Sequence, residues 1–213
     1  MVDLQAQPRI TSLLLSENEL SSFANFKGHN AIMKLDLRKN KLKDCKGIVH
    51  MALLQELLLN ENELTSLADL TDLPCLHTLS VNTNKLESLS TLPMINSLKK
   101  LDIGANPIPG DKIGEIKQLA GLKCLEHVVF AGCFEGKEDD IKKEVLMQLD
   151  NLKIKKVNDE EVTPEDVQAA AEEKAERARL AKEAEEEAAR LAAEKAAAGE
   201  QPEGEVKEEA EDN

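Results

Sequence analysis

Tryptophan and tyrosine are absent from this chain of 213 residues, and phenylalanine occurs four times. A core without large aromatics must gain its buried area from many regularly placed aliphatic contacts. Cysteine is sparse too. Cys45, Cys75, Cys124 and Cys133 form no CxxC pair and have no histidine at metal-ligand spacing, so neither a zinc site nor a redox motif is supported and a reducing compartment fits best. The opening MVDLQAQPRI lacks the apolar run of a secretory signal, and the richest apolar stretch, near MALLQELLL, is far too short to span a bilayer. A Gly-rich phosphate loop is missing as well. His29, His50, His77 and His127 have no regularly placed Cys, Ser or carboxylate partner, so the chain reads as a non-enzyme without a cofactor.

Negative charge is plentiful but one-ended. Of the net charge of -14, residues 160–213 contribute 19 Asp and Glu against 7 Lys and Arg, while residues 1–159 hold 22 against 20. The acidity therefore belongs to the C-terminal quarter. A near-neutral body with an acidic appendage, and basic residues without interleaved aromatics, argues against a nucleic-acid partner and permits a basic protein one.

The pattern LxxLxLxxNxL recurs as ITSLLLSENEL from Ile10, IMKLDLRKNKL from Ile32, LQELLLNENEL from Leu54, LHTLSVNTNKL from Leu76 and LKKLDIGANPI from Leu98, each start 22 residues after the last. A sixth copy starts at Leu125, with Cys133 in the Asn position. Such a period predicts a solenoid in which one repeat cannot bury its own apolar face and must stack on its neighbours. The first, fourth and sixth positions point inward from a short strand. Asn18, Asn40, Asn62, Asn84 and Asn106 then satisfy backbone groups at the sharp turn that follows. Inward positions of the returning half recur at Phe23 and Phe26, Cys45 and Ile48, Leu67 and Leu70, Leu89 and Leu92, and are displaced to Ile113 and Ile116 in the fifth repeat, marking a longer helical turn over GDKIGEIKQLAGL.

The fold expected is α/β: a leucine-rich repeat solenoid with short parallel strands on its concave face, a helical C-terminal cap and a long charged C-terminal helix. The cap is read from Ile141, Val145, Leu146 and Leu149, which share one helical face. Residues 1–159 form the repeat domain, residues 160–198 an Ala/Glu/Lys-rich helix started by Thr163 and Pro164, and residues 199–213 a disordered acidic tail. Nine residues precede Ile10, a thin N-terminal cap that a partner or the Val2 and Leu4 segment is expected to complete.

The expected binding surface is the exposed strand face. One column there contributes Leu14, Asp36, Leu58, Ser80, Asp102 and Val129, and the next includes Arg38, Asn60 and Asn82. Leu14, Leu58 and Val129 hold solvent-facing addresses. Leu14, Met33 and Leu58 would form an apolar anchor rimmed by Lys34, Arg38 and Lys39, suited to a helix or peptide with acidic flanks.

The phrases LDLRKNKL, LLLNENEL and LKKLDIGANPI resemble the 22-residue class of leucine-rich repeats that includes a phosphatase regulator and several axonemal proteins. IKQLAGLKCLEHVVFAGC, followed by a short helix ending VLMQLDNL and a charged helix, looks like the last repeats, cap and tail of the radial-spoke leucine-rich repeat proteins of motile cilia, and is similar to the cap of the leucine-rich outer-arm dynein light chains. That resemblance implies a non-catalytic scaffold in the cytoplasm, cytoskeleton and ciliary axoneme, with axonemal or cytoskeletal subunits as partners and neither nucleic acid nor membrane among them. A competing resemblance is to the acidic leucine-rich nuclear phosphoproteins, implying a histone- or phosphatase-binding regulatory module of nucleus or cytoplasm.

Overall fold

The computed structural model describes residues 9–26, 28–137 and 140–198. Each repeat contributes one three-residue strand: β1 Ser12–Leu14, β2 Lys34–Asp36, β3 Glu56–Leu58, β4 Thr78–Ser80, β5 Lys100–Asp102 and β6 His127–Val129. They pair in parallel in sequence order, and β7 (Lys156–Val157) joins β6 before β8 (Glu160–Glu161) closes the edge antiparallel. The register is the repeat itself: Leu13 faces Leu35, then Leu57, Leu79 and Leu101.

The inward leucines of β2 to β5 are fully buried, and the strand-following Leu37, Leu59, Val81 and Ile103 lie behind them. On the returning side Phe23, Phe26, Cys45, Ile48, Leu67, Leu70 and Leu89 are buried and Leu92 partly so. A third inward position, three residues further on, holds Met51, Leu73 and Ile95. In the first repeat it holds His29, whose Nδ1 accepts the Ala31 amide at 3.2 Å, so this histidine is a satisfied core residue. Ile10, Leu13, Leu15 and Leu20, the same positions in the first repeat, are only partly buried. Residues 1–8, expected to help cover them, lie outside the described residues.

The asparagines form a ladder. Asn62 Nδ2 donates to Leu37 O (3.0 Å) in the preceding repeat and to Leu59 O (2.9 Å) in its own, while its Oδ1 accepts Leu42 N at 3.1 Å. Asn40, Asn84 and Asn106 repeat this pattern. Cys133 keeps one of these contacts, Sγ to Ile103 O at 3.1 Å. Before each Asn the chain turns through the left-handed region, at Glu17, Lys39, Glu61, Thr83 and Ala105, with φ between 50 and 58°. The sixth copy places Gly132 there, at φ 73°, where the missing Cβ removes the strain.

After the fifth strand the returning segment lengthens into a 3-10 helix, Gly110–Gly121, which buries Ile116 and Leu119 and packs against α1 (Ile141–Gln148). α1 buries Ile141 and Val145, with Leu149 at its C-terminus. The cap strand β7 is a seventh, degenerate copy, in which Ile154 and Val157 point inward and Lys155 outward.

The long helix α2 spans Pro164–Ala198 and starts where Thr163 and Pro164 are expected to start it, after Glu160 and Glu161 pair with β7. Thr163 caps it reciprocally with Asp166: Thr163 Oγ1 accepts Asp166 N at 3.2 Å and Thr163 N donates to Asp166 Oδ2 at 2.9 Å. Lys142 of α1 reaches the same carboxylate at 2.8 Å, and Ala170 is buried. The compact unit carrying the repeats includes the start of this helix to Ala171, and Glu172 begins the second unit. That unit carries Glu173–Arg177, Arg179–Glu183 and Lys182–Glu186 ion pairs. The expected tail over 199–213 lies outside the described residues.

Candidate protein-binding face

Side chains alternate along a strand, so the residues on either side of each buried central leucine share the outer face of the sheet. One column reads Ser12, Lys34, Glu56, Thr78, Lys100, His127 and Lys156. The other reads Leu14, Asp36, Leu58, Ser80, Asp102 and Val129.

Leu14 is 62% exposed, Met33 39%, and Leu58 half-buried. These three do not form the contiguous anchor expected from the sequence. Leu14 and Leu58 lie two strands apart, about 10 Å by strand spacing, and Asp36 stands between them. Asp36 is only 3% exposed. Its carboxylate meets the Arg38 guanidinium fork to fork, Nε to Oδ1 at 3.0 Å and Nη2 to Oδ2 at 2.7 Å, and accepts the Arg38 amide at 3.1 Å. These Arg38 hydrogen bonds hold the Asp36 carboxyl below its ordinary value against the opposing pull of burial, and they raise Arg38 in turn. The centre of this face is therefore a neutralised ion pair flanked by two aliphatic side chains.

The basic rim expected around the anchor is also internally matched. Lys34 Nζ sits 3.0 Å from Glu56, and Lys39 Nζ 2.9 Å from Glu17. The hydrogen bond from Lys39 lowers the Glu17 carboxyl and raises the lysine. Val129, expected to face solvent, is 8% exposed. The β7–β8 turn closes on the end of β6, where Asn158 Oδ1 accepts Phe130 N at 2.7 Å and Asn158 N donates to Val128 O at 2.9 Å. Ser80 is buried and donates to Asp102 Oδ2 at 2.9 Å, and Asn82 Nδ2 lies 3.4 Å from Asp102 Oδ1. Two residues after Leu58, the buried Oδ1 of Asn60 has no hydrogen-bond donor among the described residues.

The sequence reading left Lys156 off this face, because the degenerate seventh copy hides its strand. The residue's place in the LxxL frame set by Ile154 and Val157 is the signal that could have found it. A second surface, on the flank where each repeat turns into the next strand, escaped the sequence altogether. It is an open groove of about 800 Å³ lined by His50, Asp72, Pro74, Pro93 and Met94 among others, with His50 Nδ1 3.1 Å from Asp72 Oδ2. Among the described residues no group of three or more His, Cys, Asp or Glu is placed to hold a metal, and no helix is long and apolar enough to cross a membrane.

Five in-register strands at one spacing, a sixth paired to them after a longer return, and an asparagine ladder joining the repeats define a protein of leucine-rich repeat fold. No protein-family model matches the chain, nor does any curated protein. Among solved structures it is similar to a chain of the Drosophila melanogaster SNF/U2A' complex, at 15% identity and TM-score 0.46, over 76% of this chain and 78% of that one. It is also similar to internalin C2 of Listeria monocytogenes, at 23% identity and TM-score 0.45, over 72% and 73% of the two chains. These likenesses add nothing to what the strand register establishes.

Proposed function

We propose that this protein is a non-catalytic scaffold that binds a segment of another protein across its concave sheet, as a structural component of the ciliary axoneme in the radial spoke. The observation that carries the binding role is the exposure of Leu14 and Met33, with Leu58, around an Asp36–Arg38 pair that already satisfies its own charge. Such a surface gains by covering apolar area and gives up little by desolvating charge. The resemblance of residues 98–182 to radial-spoke repeat proteins supports the location. The partner is then an axonemal or cytoskeletal subunit presenting an aliphatic-rich helix or strand.

The test is the distribution of tagged full-length protein in a ciliated cell, followed by detergent and salt extraction of the axoneme. Retention with the axoneme, lost in a Leu14→Asp, Leu58→Asp double variant of unchanged fold, is the expected result. A freely soluble or nuclear protein overturns the axonemal role and favours the acidic regulatory module.

A further inference from the structure

Bases on and beside the strand face follow a rule. Lys34, Lys39, Lys41, Lys85 and Lys155 each contact the acid occupying the equivalent position of a neighbouring repeat: Glu56, Glu17, Glu19, Glu63 and Glu126, at 2.8 to 3.1 Å. Lys99, Lys100 and Lys156 break the rule, forming no ion pair among the described residues. Lys100 has Thr78 and His127 as its column neighbours, neither of which carries a carboxylate. Lys99 lies between His77 and Glu126, whose carboxylate is held by Lys155, and Lys156 lies between His127 and Glu161.

The exceptions cluster. Lys100, His127 and Lys156 are direct register partners on β5, β6 and β7, which places the two lysines on either side of the imidazole at about 5 Å per strand. Four acids border this row besides Asp102, which shares the outer face of β5 with Lys100 but is turned to neutral donors, the Ser80 hydroxyl and the Gly104 amide. Asp159 Oδ1 lies 3.1 Å from His127 Nε2, out of alignment for a hydrogen bond, and Glu126 is taken by Lys155. Glu161 stands opposite Lys156 across the β7–β8 pairing without reaching it, and Glu160 contacts Lys142. The pKa of His127 is lowered, by burial first and then by Lys100; Asp159 opposes them, and Lys156 adds the smallest downward push.

We infer that this end of the concave sheet is a subsite for carboxylate side chains, in which Lys100 and Lys156 take an acidic stretch of the partner protein, with Lys99 at its edge. The inference rests on the reading that the concave face binds protein, and it gives the partner a polarity: aliphatic where it crosses β1 to β3 and acidic where it crosses β5 to β7. Charge complementarity selects acid, because the other lysines and the arginine of this face, Lys34, Arg38, Lys39 and Lys155, already have a counter-ion in the chain.

A synthetic decamer of glutamate, titrated into the full-length protein at low ionic strength, tests this by NMR of the histidine rings, with His127→Gln to assign the signal. Binding is expected to raise the pKa of His127, because an anion between the lysines reverses their effect, and to weaken with added salt. A Lys100→Gln, Lys156→Gln double variant should lose about tenfold or more in affinity, whereas Lys41→Gln, whose base is matched elsewhere, should not. An unmoved His127, or equal affinity in the double variant, overturns the subsite. An oligothymidylate of the same length that binds more tightly through the same lysines overturns the choice of an acidic protein. Axonemal retention separates the two readings. If the wild type is not retained but the glutamate decamer still shifts His127, the scaffold role falls and the subsite stands. If Leu14→Asp, Leu58→Asp blocks retention while the lysine variants change neither assay, the subsite falls and the scaffold role stands.

Discussion

Arg38 lies fork to fork on the buried Asp36, with its two nitrogens 3.0 and 2.7 Å from the two carboxylate oxygens. The pair turns what the sequence offers as one acid and one base into a neutral centre of the candidate face. Removing the guanidinium leaves a buried carboxylate that keeps, among the described residues, the backbone amide of position 38 as its donor. Arg38→Gln is expected to cost about 1 to 3 kcal/mol at pH 7. The folded carboxyl is depressed, so its contribution is complete above the unfolded value of about 3.9 and disappears as pH falls through the folded value. Urea unfolding at pH 7 and pH 3 should therefore show a large difference between wild type and variant at the first pH and a smaller one at the second. An equal difference at both would refute the role given to the ion pair.

The asparagine ladder predicts a gradient along the solenoid. Asn62 joins two repeats through both atoms of its amide, whereas Asn18 is exposed and donates only within its own, to Leu15 O and Ser16 O at 3.0 Å. Asn62→Ala leaves buried backbone groups unsatisfied and should cost about 2 to 3 kcal/mol, with Asn18→Ala nearer about 0.5 kcal/mol. Chemical denaturation of the two variants checks the order.

Two glycines separate backbone strain from collision. Gly47 has φ 88°, and a Cβ there would stand 2.1 Å from Phe23 O. Gly136 has φ 76° with nothing within 4 Å of a Cβ. Gly136→Ala should therefore cost about 1 kcal/mol from conformation alone. Gly47→Ala must also move the backbone of the neighbouring repeat, and should lower stability by at least about 2 kcal/mol. Thermal melts that rank the two equally would contradict the packing at Phe23.

Thiol reactivity follows burial. Desolvation pushes the Cys45 thiol up to about 12 and the Cys133 thiol up to about 11. Cys124 is exposed and Cys75 half-buried. A native titration with an aromatic disulfide should modify Cys124 rapidly and Cys75 more slowly, leaving Cys45 and Cys133 until denaturant is added. Mass spectrometry of the labelled peptides identifies the order.

Leu14 should tolerate charge in the isolated protein. It is 62% exposed, so Leu14→Asp is expected to change stability by no more than about 0.5 kcal/mol. A larger loss, measured by thermal melting, would mean that Leu14 is packed within the chain and is not free for a partner.

The repeat spacing by itself determined the solenoid, the order and register of the first five strands, the inward leucines and the structural role of the asparagines. A fixed interval of 22 residues leaves each strand one neighbour at one offset, so local pattern and global topology coincide. Thr163 and Pro164 marked the start of the long helix for the same kind of local reason, since a cap is satisfied within its own turn. Only the tertiary structure decided which outward residues are available to a partner. Asp36 and Ser80 occupy outward positions yet are buried, Val129 is covered by the β7–β8 turn, and Lys34, Arg38 and Lys39 are neutralised while Lys100 and Lys156 are not. Periodicity reports the direction in which a side chain leaves the backbone; whether it then meets a counter-ion, a covering turn or water depends on neighbours brought close by folding, many of them 20 or more positions away along the chain.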